Sequence, residues 1–326
     1  MAIYVVVERT EELNRQLPSA VVMVRPAAFG FNPETVSTNA FQRENNELGR
    51  REIARRARAE FDLMARRLRD AGVNLIIVED REEPSTPDAI FPNNWISFHD
   101  DGTAVLYPMF SPLRRLERRR DIIDQVAAQG FKVKRVVDLS HHEKEGRFLE
   151  GTGSIVFDHL HRTAYANLSP RTNPQVLKEL CDLLDYKAVT FRATDENGQD
   201  IYHTNVLMSI GDRFAIVCAD AIPDAIERKL VLDSLRMTRR EIVTIDRQQL
   251  AHFAGNVLQV PAQNGTTVLA MSTQALLAFR PDQRSAIQQY AHIVEAPLPL
   301  IEGIEGGSAR CMMAGVHLPL ARDLHQ

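Results

Sequence analysis

The sequence predicts an α/β fold, and within that class a propeller of five similar units closed into a ring by its N- and C-terminal strands. A unit of strand, polar turn, strand and helix recurs along the chain, which is the signature of a repeat architecture. The fifth copy is divided between the two ends, and equivalent positions follow one another at nearly constant spacing. The alternative is an ordinary open α/β sheet.

Each complete copy begins with a predicted β-hairpin. Strand-forming runs flank Asp-Gly, His/Arg, Gly-Asp and Asn-Gly turns in the segments NWISFHDDGTAVLY, GSIVFDHLHRTAYANL, NVLMSIGDRFAIVCA and NVLQVPAQNGTTVLAMS. A proline stands at or just before the first turn of each following helix, where a missing N–H costs nothing. The predicted helices are 112–129, 174–185, 223–236 and 281–291.

The fifth copy is split between the chain ends. Residues 311–318 supply a first strand, while 21–25 form a lone strand that is followed by a long helix near 43–71. Pairing the two ends would complete the unit and leave no sheet edge exposed. We therefore expect one domain over residues 1–326 rather than two.

Composition and charge exclude several classes of protein. The chain has 44% hydrophobic and 25% charged residues, with 39 basic against 43 acidic side chains, so its net charge is −4. This balance gives no positive field for nucleic acid or an anionic membrane. Three cysteines without a CxxC pair, and no apolar segment of about 18 residues, favour a cytoplasmic protein. Homo-oligomerisation stays open.

Two arginine-rich segments are interpreted as solvated helix faces. They are residues 43–70 and 114–120. Glu–Arg pairs such as Glu47–Arg51 and Glu52–Arg56 have the spacing that stabilises an exposed helix.

The propeller interpretation brings one position of each unit to a common axis. Asn94, Gly153, Asn205, Asn256 and Cys311 begin the predicted first strands and are 59, 52, 51 and 55 residues apart. A thiol, an imidazole and a carboxylate in this register are the components of a nucleophilic hydrolase. The candidate site comprises Asp88, Asn93, Asn94, Glu150, His203, Asn205, Asn256 and Cys311.

Other reactive groups fit structural roles better. Cys181 and Cys218 lie in apolar helix and strand patterns. The pairs His141-His142 and His159/His161 lack a third ligand at metal-binding spacing, and the EGTGS segment lacks the lysine of a phosphate-binding loop. We expect neither a metal nor an organic cofactor.

Four ordered motifs, PDAIFPNNW, FLEGTGS, YHTN and GGSARCM, resemble the guanidino-group-modifying superfamily of arginine deiminases, dimethylarginine hydrolases and amidinotransferases. The resemblance implies the pentein-like five-unit α/β propeller. It also implies that Cys311 is the covalent nucleophile, His203 the general acid and base, and Glu150 its acidic partner. The chain is most similar to the branch of citrulline hydrolases, which cleave a ureido group to leave ornithine.

Asparagines replace acids at three positions of the arginine-processing pattern, namely Asn93, Asn94 and Asn205. Carboxylates suit a guanidinium, whereas an amide can both donate to and accept from a neutral ureido group. We therefore expect Asn94 and Asn205 to face the ureido group of citrulline, and Asn93, Asn256 and Asp88 to help to bind it.

Two further expectations concern charge in the site. Arg25 or Arg310 should hold the α-carboxylate of the substrate. A cationic His203 should favour the thiolate of Cys311 and protonate the departing amine. The alternatives are an arginine, agmatine or succinylarginine deiminase or dihydrolase, and a non-catalytic ring-shaped binding protein in which Cys311 is structural.

Overall fold

The computed structural model describes residues 16–39, 41–45 and 47–321, so the ends of the predicted domain lie outside the described residues. The described part of the chain forms fifteen strands in four sheets. The strands are β1 (Ala20–Arg25), β2 (Leu75–Glu79), β3 (Ile96–Phe98), β4 (Thr103–Leu106), β5 (Arg135–Asp138), β6 (Ile155–Asp158), β7 (Thr163–Asn167), β8 (Lys187–Phe191), β9 (Met208–Ile210), β10 (Phe214–Val217), β11 (Glu241–Thr244), β12 (Leu258–Pro261), β13 (Thr267–Ser272), β14 (His292–Ala296) and β15 (Ala314–Val316).

One three-stranded pattern recurs through the sheets. The first two strands form an antiparallel hairpin, and a third strand then pairs parallel with the second. This order is found in β3-β4-β5, β6-β7-β8, β9-β10-β11 and β12-β13-β14. The predicted hairpins are therefore present, whereas the third strands were missed because several, such as β5 and β8, are largely exposed and lack a clear apolar alternation.

The strands from the two ends of the chain pair with each other. Strand β15 is antiparallel to β1, with Ala314 opposite Val22, and β1 is parallel to β2. These three strands repeat the order of the other units. Strand β15 also pairs with β3 through Val316 and Phe98, which joins two units into one six-stranded sheet.

The helices follow the hairpins, as the proline pattern predicts, with shifted ends. The predicted helix 112–129 is in fact two helices, which residues 116–120 separate. The helices are α1 (Arg50–Asp70), α2 (Pro112–Arg115), α3 (Asp121–Ala128), α4 (Gly151–Ser154), α5 (Pro174–Leu184), α6 (Thr204–Leu207), α7 (Ala225–Met237), α8 (Arg247–Ala251), α9 (Thr273–Ala278), α10 (Pro281–Gln288) and α11 (Pro299–Glu305).

Helix α1 buries one apolar face and exposes its arginines. Its buried residues, including Phe61 and Leu68, recur every three or four positions and meet β14 and α11. Glu52 pairs with Arg56 as predicted, at 2.6 Å. The predicted Glu47–Arg51 helical pair is wrong, because the helix begins after Glu47.

The positions predicted to begin the first strands lie one turn earlier. Asn94 ends a 3₁₀ turn, Gly153 lies in α4 and Asn205 in α6, each directly before β3, β6 and β9. Cys311 likewise lies in turns just before β15. Side chains from these turns form the site described next.

Candidate active site

The turns before the first strands pack against one another with very little space between them. A Cβ atom on Gly153 would collide with the side chain of Asn94 and would lie 2.7 Å from the ring of His203. Gly151 has a positive φ of +46°, and a Cβ atom at this position would collide with the backbone of Asn93 and Asn94. The glycines beside Glu150 therefore allow three turns to meet, which brings the predicted acid and histidine together.

Glu150 and His203 form a buried pair. The Nε2 atom of His203 lies 2.8 Å from Oε2 of Glu150, and both side chains are at most 2% exposed. Burial alone would raise the pKa of Glu150, but the charge of Arg171 and the hydrogen bond to His203 hold it well below its usual range. The ionised carboxylate only accepts, so Nε2–H of His203 donates and Nδ1 carries the lone pair.

His203 is neutral in this environment. Burial lowers the pKa of His203 to about 4, although its hydrogen bond to Glu150 opposes this. The environment therefore does not favour the expected cationic His203, because burial and the charges of Arg171 and Arg114 oppose protonation more than Glu150 favours it.

A neutral His203 makes stability depend on pH. In the unfolded chain the ring titrates near the ordinary value of about 6.5, so between about pH 6.5 and 4 only the unfolded state binds the proton. Stability is thus present above this window and falls as the pH decreases through it. We expect His203→Gln to reduce the loss of unfolding free energy between pH 6.5 and 4.5 by about 2 kcal/mol, measured by urea titration. The same substitution at exposed His292 should leave the dependence of the unfolding free energy on pH as it is in the wild-type protein.

Cys311 is 4% exposed and receives two amide contacts. Its Sγ atom lies 3.2 Å from Nδ2 of Asn256 and 3.5 Å from Nδ2 of Asn205. The Oδ1 atom of Asn205 is buried and has no hydrogen-bond partner among the described residues. The nucleophile candidate therefore lies next to a residue with one unsatisfied amide oxygen.

A cavity of about 300 Å³ connects these groups. Four of the eight predicted site residues line it, namely Asp88, Asn94, His203 and Cys311. The other four, Asn93, Glu150, Asn205 and Asn256, are not among its lining residues. Its lining comprises Thr35, Asn39, Asp88, Phe91, Asn94, Arg114, Arg171, Tyr202, His203, Glu305, Gly307 and Cys311.

Asn94 lines the cavity, and both its amide oxygen and its amide nitrogen already have a hydrogen-bond partner. Its Oδ1 accepts from Nη1 of Arg114 at 2.8 Å, and its Nδ2 donates to Oδ1 of Asn93 at 3.1 Å. Each amide atom keeps one further donor or acceptor position, so the expectation that Asn94 faces the ureido group stays a prediction. Asn93 supports Asn94 and is itself fully buried.

Two arginines in the cavity were missed by sequence reasoning. Arg114 is 4% exposed and holds Glu117 through two hydrogen bonds of 2.9 Å, so the interpretation of 114–120 as a solvated face is wrong there. Arg171 is 2% exposed, stacks over Tyr202 at 4.8 Å and lies 3.5 Å from Glu150.

The arginines predicted for substrate binding lie elsewhere. Arg25 makes two hydrogen bonds of 2.7 and 2.8 Å with Asp62 of α1 and is not part of the cavity lining. Arg310 precedes Cys311, but its side chain bonds to the carbonyl of Met313 and lines a different cavity. Arg310 and Cys311 are therefore adjacent in sequence but line different cavities.

A buried pair of acids forms another part of the wall. Asp88 accepts from Nδ2 of Asn32 at 2.6 Å, and Glu305 accepts from the backbone N–H of Asn32 at 2.8 Å. Burial and the charge of Asp88 raise the pKa of Glu305 well above its usual value. This part of the wall thus consists of two neighbouring acids, and its environment favours the protonated form of Glu305.

One group outside the cavity has the geometry of a metal site. His141, His142 and Glu179 place ligand atoms within 4.8 Å of one another, in the loop that sequence spacing suggested and rejected. The third member comes from α5, which spacing cannot reveal. Nε2 of His142 lies 2.7 Å from Glu179, so a direct hydrogen bond accounts for this contact.

A family described as eukaryotic N,N-dimethylarginine dimethylhydrolase has a sequence model that matches residues 25–318. The chain belongs to this family. The dimethylarginine dimethylhydrolase family is part of the guanidino-modifying superfamily, and its members hydrolyse non-peptide carbon–nitrogen bonds. The predicted superfamily and the predicted enzyme class are therefore confirmed.

Solved structures share the fold of this dimethylarginine dimethylhydrolase family member. The N-terminal domain of ArgZ, an arginine dihydrolase from Cyanobacteria, has a TM-score of 0.70 at 16% identity over 91% of this chain and 97% of that chain. Unliganded AgrE has a TM-score of 0.71 at 17% identity over 92% and 39%. The Pseudomonas aeruginosa DDAH complexed with citrulline has 0.62 at 14% over 92% and 99%. At these identities the likeness shows the α/β fold alone.

No curated protein sequence matches the chain significantly. None of the helices in the described residues is long and apolar enough to span a bilayer.

Proposed function

We propose that the protein hydrolyses the ureido group of citrulline and releases ornithine. The observation that carries the proposal is Asn205, whose Nδ2 lies 3.5 Å from Cys311 Sγ and whose buried Oδ1 has no partner among the described residues. Both side chains that contact the sulfur are amides, and neither is a carboxylate. A neutral NH2 group satisfies the amide oxygen without leaving a buried charge unpaired.

The proposed reaction uses Cys311, His203 and Glu150. Cys311 adds to the ureido carbon while Nδ1 of His203 takes the thiol proton, and Glu150 stabilises the imidazolium that forms. His203 then returns this proton to the departing nitrogen, and a covalent thio-intermediate remains. His203 next takes a proton from water, which attacks the same carbon and expels the sulfur as a thiolate, and the thiolate then recovers this proton from His203. The sum consumes one water and yields ornithine with carbamic acid, which decomposes to ammonia and carbon dioxide.

Arg171 is the proposed partner of the substrate carboxylate. It lines the cavity, and its nearest acid, Glu150, is 3.5 Å away and already bonded to His203. Arg114 is less suited, because Glu117 occupies two of its nitrogens. Thr38 and the carbonyl of Thr35 hold Nε and Nη2 of Arg171, so a substrate carboxylate would pair with Nη1, which lies 3.5 Å from Glu150.

We expect Arg171→Lys to raise the KM for citrulline by at least about tenfold, because an ammonium cannot reproduce the planar fork. Steady-state kinetics measure the effect, with Arg25→Lys as the matched control because Arg25 pairs with Asp62 outside the cavity. An unchanged KM at Arg171, or an equal rise at Arg25, would contradict the assignment.

The architecture that we propose is a single five-unit propeller with the active site on its axis. The pairing of β15 with β1 supports ring closure. Residues before or in all five first strands also meet: Asn94 contacts the α4 turn, and Asn256 bonds to Cys311 and to the carbonyl of Asn205. This arrangement supports one domain that contains all of the proposed catalytic groups.

A guanidino substrate is the second candidate. Asp88 and Glu305 in the cavity wall favour it, because two acids could pair with a guanidinium once Glu305 ionises. Arginine or N,N-dimethylarginine would then be the substrate.

A panel of citrulline, arginine, agmatine, succinylarginine and N,N-dimethylarginine distinguishes these functions. Ammonia, ornithine, citrulline and dimethylamine are quantified for each compound at matched concentrations. We expect ornithine from citrulline to be the fastest product. Faster formation of citrulline from arginine, or of dimethylamine from dimethylarginine, would overturn the proposed substrate in favour of the second candidate.

A further inference from the structure

A second cavity, of about 650 Å³, lies farther along the first strands. Residues at or beside β3, β6, β9, β12 and β15 contribute to its wall, and Gln16 lies at its rim. It shares no lining residue with the cavity that contains Cys311. The two cavities are therefore separate compartments, and the proposed hydrolysis does not use this one.

The second cavity contains a cation without an acidic partner. Arg310 lines it and donates to the carbonyl of Met313 at 2.7 Å, while no ion pair of Arg310 occurs within the described ranges. Within the part of the chain that the structure describes, no aspartate or glutamate lines the cavity. Burial lowers the pKa of Arg310 to about 10, so the guanidinium stays charged at neutral pH. A buried charge of this kind requires a counter-charge.

Three histidines surround the same space. The rings of His159 and His317 are 3.8 Å apart, and His99 lies 6.3 Å from His159. Burial lowers the pKa values of all three, to about 4 for His99 and about 3 for His317, so the rings are neutral near pH 7. The Nδ1 atom of His99 is buried without a partner in the described chain. Neutral imidazoles supply N–H donors without adding charge.

A buried guanidinium surrounded by neutral imidazoles favours an anionic ligand. A metal cation would be repelled by Arg310, and the described residues of the wall include no carboxylate to compensate. An anion gains a charge-assisted pair with the guanidinium and an additional bond from Nδ1 of His99, whose Nε2 already contacts Ser97 at 2.7 Å. Oxyanions match the planar guanidinium fork best.

We propose that the second cavity binds a small oxyanion, either a carboxylate or inorganic phosphate, on Arg310 and the surrounding histidines. This anion site is separate from the substrate site but adjoins it. The backbone N–H of Arg310 donates to Asn256, whose amide contacts Cys311.

Sodium acetate and sodium phosphate, titrated separately at constant ionic strength into the full chain, test the proposal. The readout is the Cε1–H resonance of each histidine in ¹H–¹³C spectra at neutral pH. We expect saturable shifts for His99, His159 and His317 with at least one anion, and only linear drift for exposed His141. The anion that saturates at the lower concentration identifies the class.

Two variants make the result specific. Arg310→Gln should weaken binding by at least roughly tenfold, the effect of losing one charge-assisted pair. His317→Gln should weaken it by a smaller factor and keeps the proposal testable if the Arg310 variant does not fold. The absence of saturable shifts with both anions in the wild-type protein, or wild-type affinity in the folded Arg310 variant, would overturn the proposal.

Discussion

Replacement of Cys311 by serine is expected to lower kcat for citrulline by at least about 10³-fold while the protein remains folded. An alcohol in the same place has far too little anion near neutral pH to attack a resonance-stabilised carbon. Its two amide donors, Asn205 and Asn256, would still bond to an oxygen, so the local structure should persist. Turnover, circular dichroism and the thermal midpoint are measured on the same preparation.

The other two cysteines are matched controls. Burial raises the pKa of Cys181 to about 11 and that of Cys218 to about 11, so both thiols stay protonated, and neither lines the cavity. Serine at either position should leave kcat within about twofold, although stability can decrease. A haloacetamidine, which mimics a guanidino group, should label Cys311 alone.

Two results would contradict the nucleophile assignment. Retention of more than a few per cent of activity by the Cys311 variant would exclude covalent catalysis at this position. Failure of every compound in the panel to react, together with no labelling of Cys311, would support the alternative of a non-catalytic binding protein.

The repeat could be predicted from the sequence because hairpins depend on local chemistry. Turn dipeptides and alternating β-branched residues determine β6-β7 or β12-β13 with little help from the rest of the chain. The third strand of each unit, in contrast, pairs parallel with a strand more than twenty residues earlier. Parallel pairing needs a crossover, and exposed strands such as β5 carry no clear pattern.

The site residues that occupy equivalent positions in the repeated units could also be predicted. Glu150, His203, Asn205, Asn256 and Cys311 all stand just before a first strand, and the structure brings them together. Their roles remain predictions. The charge of His203 could not be predicted, because it depends on burial and on arginines that are distant in the sequence.

The two buried arginines were missed although the sequence carries a signal for them. Arg114 follows Ser111-Pro112, and Arg171 follows Ser169-Pro170, each shortly after the second strand of its unit. The same repeat register that locates Cys311 therefore also locates this pair. For Arg114 a run of arginines obscured the signal, because this residue is buried while Arg115 and the arginines at 118–120 beside it are not.

The asparagines of the site provide the sharpest test of substrate charge. We expect the wild-type protein to use citrulline with a kcat/KM at least about tenfold above that for arginine, or roughly 1.4 kcal/mol. Asn205→Asp should shift this ratio toward arginine by about 100-fold. The new carboxylate would pair with a guanidinium at the reacting carbon but would remain unpaired beside a ureido group.

Asn94→Asp is the matched control, since it makes the same chemical change within the same cavity. Arg114 Nη1 lies 2.8 Å from Asn94 Oδ1 and would neutralise the new carboxylate, so the ratio should move by no more than about threefold. The double variant should then behave like Asn205→Asp alone. A wild-type preference for arginine would contradict the proposed substrate. An equal loss with both substrates in Asn205→Asp would instead assign Asn205 a structural role, and an equal ratio shift at both positions would mean that Arg114 does not screen Asn94.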